Sequence, residues 1–249
     1  MKENILLGLF LGIAATAAAG PDNKFANPSF EGGRESWISL AAPDKEYWHD
    51  FSIAPDPKDP AHKCARLDLT SAEARAKTEV CGVIQEVKES GQIPHYLHGR
   101  YFVADWKRGT PKQYIQAVVN VWATGNNFGK RGEHSTQPIP VQIAFVLGGI
   151  SEPPFKIVNR KFVFSGPLDP KVGEWIEFEF DLRAALEKEW GFLPKEFRGF
   201  RVLFEARFDE RAETEKDARA TVYFDDLYLG DESRTPPAAP VVALPAARR

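Results

Sequence analysis

The stretch Ala220-Thr221-Val222-Tyr223-Phe224-Asp225-Asp226-Leu227-Tyr228-Leu229-Gly230 decides the fold. Its β-branched and aromatic residues predict a strand, and two consecutive carboxylates interrupt the alternation. Val222 and Phe224 point to one face, and Leu227 and Leu229 return to that face only if a bulge absorbs one residue. We therefore expect a buried closing strand that carries two acids at its bend.

Strand patterns recur along most of the chain. The clearest lies in residues 113–124, where alternate side chains make a uniformly apolar face: Ile115, Ala117, Val119, Val121 and Ala123. The opposite face mixes aromatic rings with amides: Tyr114, Gln116, Val118, Asn120 and Trp122. Because one face of such a strand belongs to the core, the apolar set is expected to point inward.

The remaining pattern predicts an all-β protein. Strands are expected within residues 62–69, 79–87, 101–107, 141–147, 156–164, 173–182 and 200–208. Residues 141–147 and 156–164 are expected to pair through a turn at Glu152-Pro153-Pro154, and Arg183 to Trp190 is the one predicted helix. About eleven short strands with regular turn signals predict a β-sandwich.

Both ends of this pattern resemble a known class. Asn27-Pro28-Ser29-Phe30-Glu31 near the start and the strand around Asp225-Asp226 near the end resemble the first and last strands of carbohydrate-binding modules of the galactose-binding-like class. Residues 80–87, 101–107 and 173–182 resemble internal strands of that class. The resemblance covers most of residues 24–230 and implies a jelly-roll β-sandwich whose first and last strands meet.

The resemblance also implies a structural calcium ion where those two strands meet. Its ligands would be Glu31, Asp225 or Asp226, and backbone carbonyls near Asn27, because calcium takes six to eight oxygen ligands. In the alternative interpretation, Asp226 caps backbone amides at the bulge and Asp225 faces solvent.

The first residues have the features of a secretory signal. Lys2 precedes an apolar run from Ile5 to Ala15, and small residues at 17–19 precede Gly20. The run is too short to span a bilayer, although a retained anchor helix is the alternative. We therefore expect residues 1–19 to be a signal peptide, residues 20–231 the jelly-roll domain and residues 232–249 a disordered tail rich in Pro and Ala. The protein is then exported, either secreted or periplasmic.

The net charge and the cysteine content further restrict the possible classes of function. The formal net charge is −3, which favours neither nucleic acid nor an anionic membrane as a partner. Cys64 and Cys81 are the only cysteines, each in a predicted strand. In an exported protein they predict a disulfide that closes a hairpin of neighbouring strands, and two buried free thiols are the alternative.

Sugar binding requires flat aromatic platforms beside paired hydrogen-bonding groups. Tyr114, Gln116, Asn120 and Trp122 offer that combination on one strand face. Further contributions are expected from Trp106, which we assign to the neighbouring strand, and from residues on other strands: Gln142, Glu177, Glu179, Arg201 and Glu205. The alternative is that Trp122 and Tyr114 pack under loops as a satellite core.

The sequence thus predicts an exported, non-catalytic module that recognises a polysaccharide through aromatic platforms on a sheet face. It would act beside a separate carbohydrate-active enzyme or at the cell surface. Two other classes stay open. One is a polysaccharide lyase or glycoside hydrolase on the same fold, for which His95 and His98 or the acids of residues 177–181 are the candidate groups. The other is a structural or adhesive surface domain.

Overall fold

The computed structural model describes residues 22–41, 47–74, 76–87, 91–109, 112–123, 140–195 and 197–235. The predicted signal peptide, the glycine-rich loop at 125–138 and residues 236–249 of the predicted tail lie outside these ranges. Within the described residues, no helix combines the length and the hydropathy needed to cross a bilayer.

The described residues form a sandwich of two sheets, which confirms the predicted all-β architecture. Sheet I has the strand order β1-β5-β11-β7-β8-β9, with β2 also paired to β5. Its strands are β1 (Ile38–Ser39), β2 (Trp48–His49), β5 (Glu79–Val87), β7 (Gln113–Ala123), β8 (Val141–Gly148), β9 (Arg160–Phe164) and β11 (Phe197–Phe208). Sheet II has the order β10-β6-β12-β4-β3. Its strands are β3 (Ser52–Pro55), β4 (Lys63–Thr70), β6 (Tyr96–Lys107), β10 (Trp175–Asp181) and β12 (Arg219–Gly230).

The core lies between the sheets and contains the alternating side chains that the sequence assigned to it. Strand β7 contributes Ile115, Ala117, Val119 and Val121, and strand β11 contributes every second residue from Phe200 to Phe208. Phe178 and Leu182 are buried in the same cluster, and Ile176 and Phe180 pack against it. Burying a large apolar side chain contributes about 1.5–3 kcal/mol, so these strands account for much of the stability.

The closing strand β12 contains the predicted bulge. Its pairing with β6 shifts register between Asp225 and Tyr228, and Asp226 has a left-handed φ of 49°. Asp tolerates this conformation better than a β-branched residue would. As a result Val222, Phe224, Leu227 and Leu229 all reach the core.

The first and last segments of the domain meet, as the resemblance implied. The Lys24 amide donates to the Leu229 carbonyl at 2.8 Å, and the Leu227 amide donates to the Pro28 carbonyl at 3.1 Å. The Asn23 side chain donates to the Leu227 carbonyl at 2.9 Å and accepts from the Leu229 amide at 3.1 Å. This pairing covers the edge of β12 beyond the bulge.

The single helix of the described residues, α1 (Leu182–Trp190), begins one residue earlier than predicted. The Asp181 carboxylate caps it by accepting from the Ala184 amide at 2.9 Å. Gly191, with a φ of 76°, ends it in the left-handed conformation. Asp181 therefore has a structural role.

Two predicted connections between strands are wrong. Strands β8 and β9 do pair as predicted, but in parallel, so the error is in the connection: residues 149–159 cross from one end of the pair to the other and do not form a tight turn. Strands β4 and β5 are not a hairpin either, because they belong to different sheets.

The predicted disulfide is absent for the same reason. Both cysteines are free and buried. Ala65 and Leu67 of β4 point into the core, so Cys64 points to the outer face of sheet II, where it packs with Phe102 and Tyr223. Cys81 points from sheet I into the core. Burial raises the pKa of both thiols, that of Cys81 to about 12, which keeps them protonated and unreactive.

We expect two free thiols per chain. Without reductant, a thiol reagent should react with neither cysteine in the folded protein and with both after denaturation. Adding reductant should leave the melting temperature unchanged. A disulfide enclosing about 16 residues would instead contribute about 3 kcal/mol, so a lower melting temperature after reduction would contradict the structure.

Candidate functional site

The aromatic and amide face of β7 lies on the outer face of sheet I. Because Ile115, Ala117, Val119 and Val121 fill the core, the intervening side chains must point away from it. The strand register then decides which residues of the neighbouring strands join them on the outer face.

One row of that face is polar on five adjacent strands: β5, β11, β7, β8 and β9. Register places Glu86 opposite Arg201, Arg201 opposite Asn120, Asn120 opposite Gln142 and Gln142 opposite Arg160. We call these five residues the polar ladder. At about 4.8 Å per strand, the ladder extends over about 19 Å perpendicular to the strands. The next row is apolar and consists of Ile84, Leu203, Val118, Ala144 and Phe162.

Parts of the polar ladder are paired and parts are not. Arg201 Nη2 donates to Glu86 Oε1, and Arg160 Nε donates to Gln142 Oε1 at 2.6 Å. Among the described residues, the buried Asn120 Oδ1 has no hydrogen-bond donor and the buried Arg201 Nε has no acceptor. Asn120 and Arg201 lie directly opposite each other on β7 and β11, so the unpartnered acceptor and the unpartnered donor belong to neighbouring residues.

Trp122 continues β7 beyond Asn120 and is partly exposed. The Arg201 guanidinium carbon lies 4.9 Å from the centre of its ring, and the Gly199 backbone lies beside the indole. A side chain at 199 would contact the ring, so glycine leaves the indole in its place. This end of the face therefore combines a partly exposed aromatic ring with unpartnered polar atoms.

The other end of the face holds a buried polar network. The Tyr114 hydroxyl donates to Asp209 Oδ2 at 2.7 Å, and Arg207 makes two bonds to Asp209, at 2.8 and 3.2 Å. Gln116 Nε2 donates to Glu205 Oε2, which also lies 3.5 Å from Arg207 Nη1. Tyr114 and Gln116 are 0% exposed, so no ligand touches them in this arrangement.

This network stabilises the charged form of Arg207 and the protonated form of Tyr114. Burial alone lowers the pKa of Arg207, but Tyr114, Glu205 and Asp209 together raise it above its ordinary value. Burial also raises the pKa of Tyr114, so its hydroxyl stays protonated and remains a donor to Asp209. A bidentate pair between a guanidinium and a carboxylate fixes both side chains, and the network therefore stiffens this part of the sheet.

The five predicted sugar-binding residues are thus divided. Asn120 and Trp122 lie at the open end of the outer face, whereas Tyr114 and Gln116 belong to the buried network. Trp106 lies on β6 of sheet II, opposite Ala220, and packs against the core, so the structure does not bring it to the site.

Of the additional residues considered, Gln142, Arg201 and Glu205 share the outer face, and Glu177 and Glu179 belong to sheet II. Sequence reasoning missed Arg160, although the alternation Arg160, Phe162, Phe164 was a readable signal.

The four predicted calcium ligands are divided between two sites, each with a cation of the chain. The Asn27 backbone carbonyl accepts from Trp37 Nε1 at 2.9 Å. The Glu31 carboxylate accepts from the Lys63 amide at 3.0 Å, and Lys63 Nζ donates to the Glu31 backbone carbonyl at 3.1 Å. The predicted oxygens at this end therefore already accept hydrogen bonds from the chain, and the ammonium of Lys63 lies beside Glu31.

Arg100 binds the two acids of the closing strand. Its Nη2 lies 2.6 Å from Asp225 Oδ2, and its Nε lies 2.9 Å from Asp226 Oδ2. Contrary to the alternative interpretation, Asp225 is buried and Asp226 is exposed. Burial raises the pKa of Asp225 to about 7, although the bond from Arg100 opposes this shift.

Asp56, Cys64 and Asp225 also have potential ligand atoms within 4.8 Å of one another. Arg100 Nη2 bonds to both of these acids, and the raised pKa of Cys64 keeps its thiol protonated. As they stand, these side chains and the four predicted ligands fit internal ion pairs better than a metal ion, and calcium at the junction stays a prediction.

No family model matches the sequence, and no curated protein does. Among solved structures, TmCBM61 in complex with β-1,4-galactotriose has a TM-score of 0.40 and 13% identity over 84% of this chain and 99% of that chain. CBM28, a module specific for non-crystalline cellulose, has a TM-score of 0.42 and 11% identity over 85% and 98%. The CBM22-1 xylan-binding domain of Paenibacillus barcinonensis Xyn10C has a TM-score of 0.38 and 12% identity over 87% and 100%.

These neighbours are carbohydrate-binding modules, the class that the sequence resembles. Because their TM-scores are below 0.5, we infer a function only from the side chains of this chain.

We expect Tyr114→Phe to destabilise the protein. The substitution removes the hydroxyl that donates to Asp209 and leaves the ring in place, and a hydrogen bond to a charged group contributes about 1.5–3 kcal/mol. Denaturant unfolding should show a loss in that range, without a change in slope. Tyr47→Phe, at a partly exposed ring in another part of the chain, is the control; equal losses for the two variants would contradict the network.

We expect chelation with EDTA to leave the melting temperature unchanged, because Arg100 already pairs with Asp225 and Asp226, the two predicted calcium ligands of the closing strand. Arg100→Met should destabilise the protein by about 3–5 kcal/mol, since it leaves buried Asp225 without its cation. A melting temperature that falls with EDTA and recovers with added calcium would show that the ion binds here after all.

Proposed function

We propose that the protein is an exported, non-catalytic module that binds a polysaccharide on the outer face of sheet I. The observation that carries this proposal is the unpartnered pair in the middle of the polar ladder, next to Trp122. Among the described residues, Asn120 Oδ1 lacks a donor and Arg201 Nε lacks an acceptor, and the two residues lie opposite each other.

A sugar hydroxyl suits such a pair because it donates one hydrogen bond and accepts others. Both atoms are covered in the free protein, so the Arg201 side chain would have to move aside when a sugar binds. The hydroxyl would then donate to Asn120 Oδ1 and accept from Arg201 Nε, and both atoms would gain a partner. Leaving a buried polar atom without a partner costs about 1–3 kcal/mol, and a ligand that supplies the partner recovers part of that cost.

Trp122 adds the apolar half of sugar recognition. An indole presents a flat surface to the C–H face of a pyranose while its neighbours bond to the hydroxyl rim. Arg201 approaches this ring to 4.9 Å, so the stacking surface and the hydrogen-bonding groups adjoin. The length of the polar ladder, about 19 Å, suits an extended chain of sugars better than a single unit.

The test is a survey of glycans by affinity electrophoresis and glycan array with the chain from Gly20 onward. We expect at least one polysaccharide to retard the protein, and Trp122→Ala to weaken binding at least about ten-fold, or ~1.4 kcal/mol. Asn120→Leu should also weaken binding, because it removes an oxygen that has no partner among the described residues and that the sugar would bond.

Trp175→Ala is the matched control. Trp175 is also partly exposed, but it lies on sheet II, so its loss should leave binding intact. Equal losses for the two tryptophan variants, or no binding to any glycan, would contradict the proposal. Release of reducing ends or unsaturated sugars from a bound polymer would instead favour the enzyme alternative.

A further inference from the structure

We propose that the polysaccharide is acidic and that Arg160 receives the carboxylate of a uronic acid unit. This inference rests on the proposed binding function and adds the chemical class of the ligand. It follows from how the three arginines on the outer face of sheet I are partnered.

Two of these arginines have carboxylate partners. Arg201 pairs with Glu86, and Arg207 pairs with Glu205 and Asp209. Arg160 differs from both, because no carboxylate of the described residues lies within 4.0 Å of its nitrogens. Its one hydrogen bond to those residues goes from Nε to Gln142 Oε1, a neutral amide oxygen, at 2.6 Å.

That single bond orients the guanidinium and leaves its terminal nitrogens available. Gln142 lies opposite Arg160 in the parallel pairing of β8 and β9, so the backbone fixes the spacing of the two side chains. The two terminal nitrogens of Arg160 make no hydrogen bond to the described residues. A guanidinium in this state presents a planar fork that matches the two oxygens of a carboxylate.

The surroundings of Arg160 leave its charge only partly compensated. Burial lowers the pKa of Arg160, and nearby Arg207 lowers it further, while Glu205, Tyr114 and Asp209 raise it less than burial lowers it. Glu205 is already bonded to Gln116 and Arg207, and Asp209 to Tyr114 and Arg207. An additional anion is therefore the missing partner, since buried charges in proteins are otherwise paired.

The ring of Phe155 lies near both Arg160 and the fully paired Arg207. The guanidinium carbons of Arg160 and Arg207 lie 5.6 and 5.5 Å from its centre. Phe155 is partly exposed and offers an apolar surface next to the fork of Arg160. A uronic acid unit has this same combination, a carboxylate beside an apolar C–H face. Retaining a partly buried, under-partnered arginine is costly for folding and is therefore an indication of a binding site.

The experiment compares polyuronates with their neutral forms, using polygalacturonate and alginate beside the methyl esters of each. We expect the protein to bind one polyuronate at least ten-fold more tightly than its ester. Increasing salt should weaken binding to the acid and not to the ester, because screening acts on the charge alone. In Arg160→Gln the affinity for the acid should fall to that for the ester.

Two controls separate a binding role of Arg160 from a structural one. Arg160→Gln should keep or raise the melting temperature, because it removes an under-compensated cation; a clear fall would show a structural role and overturn the inference. Arg219→Gln removes the same charge from an exposed position on β12 of sheet II, and it should leave binding unchanged.

The outcomes also distinguish this inference from the proposed function. If acid and ester bind equally, with Trp122→Ala weakening both and Arg160→Gln neither, the acidic ligand is wrong and the glycan-binding face stands. Tight binding to neutral polymers alone would likewise overturn the acidic ligand and leave the glycan-binding face standing. If no polymer binds, both are overturned.

Discussion

The aromatic packing around Phe204 holds the two sheets and the N-terminal segment together, and the rest of the structure depends on it. Phe204 points from β11 of sheet I into the core and is 0% exposed. Its ring centre lies 5.1 Å from that of Phe224 and 6.3 Å from that of Phe178, both of which belong to sheet II. Trp37 and Phe25, from the segment before β2, lie 6.2 and 6.3 Å away. One side chain therefore contacts both sheets and the N-terminal segment.

This packing also fixes the outer face of sheet I. Side chains alternate along a strand, so placing Phe204 in the core forces Leu203 and Glu205 outward, and a slip of one residue would bury Glu205 between the sheets. Strand β7 has the same constraint through Ala117 and Val119. The polar ladder and the buried network are thus held in place by a core that they do not touch.

The sequence predicted those parts of the structure that depend on alternation within one strand. It identified both faces of β7, the inward face of β11 and the bulge after Phe224, because each follows from the side-chain period and the need to bury apolar groups. It also identified the meeting of the two ends, through the resemblance of residues 27–31 and 220–230 to known modules.

The parts that failed depend on which strands become neighbours. Cys64 and Cys81 are close in sequence, but their strands belong to different sheets, and Trp106 is separated from Trp122 in the same way. The alternation of side chains within a strand does not indicate which strand it pairs with. The parallel pairing of β8 with β9 is therefore not specified by the pattern of either strand. The environment of Arg160 could be recognised only from that pairing, because the pairing places Gln142 opposite Arg160.

The charged groups on the outer face of sheet I are paired to different extents in its two halves. In the network of Tyr114, Glu205, Arg207 and Asp209, each charged group has an oppositely charged partner, which makes the network rigid, although Gln116 Oε1 beside it has no hydrogen-bond partner among the described residues. Along the polar ladder, Asn120 Oδ1 and Arg201 Nε have no hydrogen-bond partner among the described residues, and Arg160 has no carboxylate partner there. Selection for stability alone favours pairing or replacing such groups, since a buried polar atom without a partner opposes folding. These groups lie in one row next to a network that keeps the sheet stiff, so the face combines fixed side chains with hydrogen-bonding groups that a ligand could use.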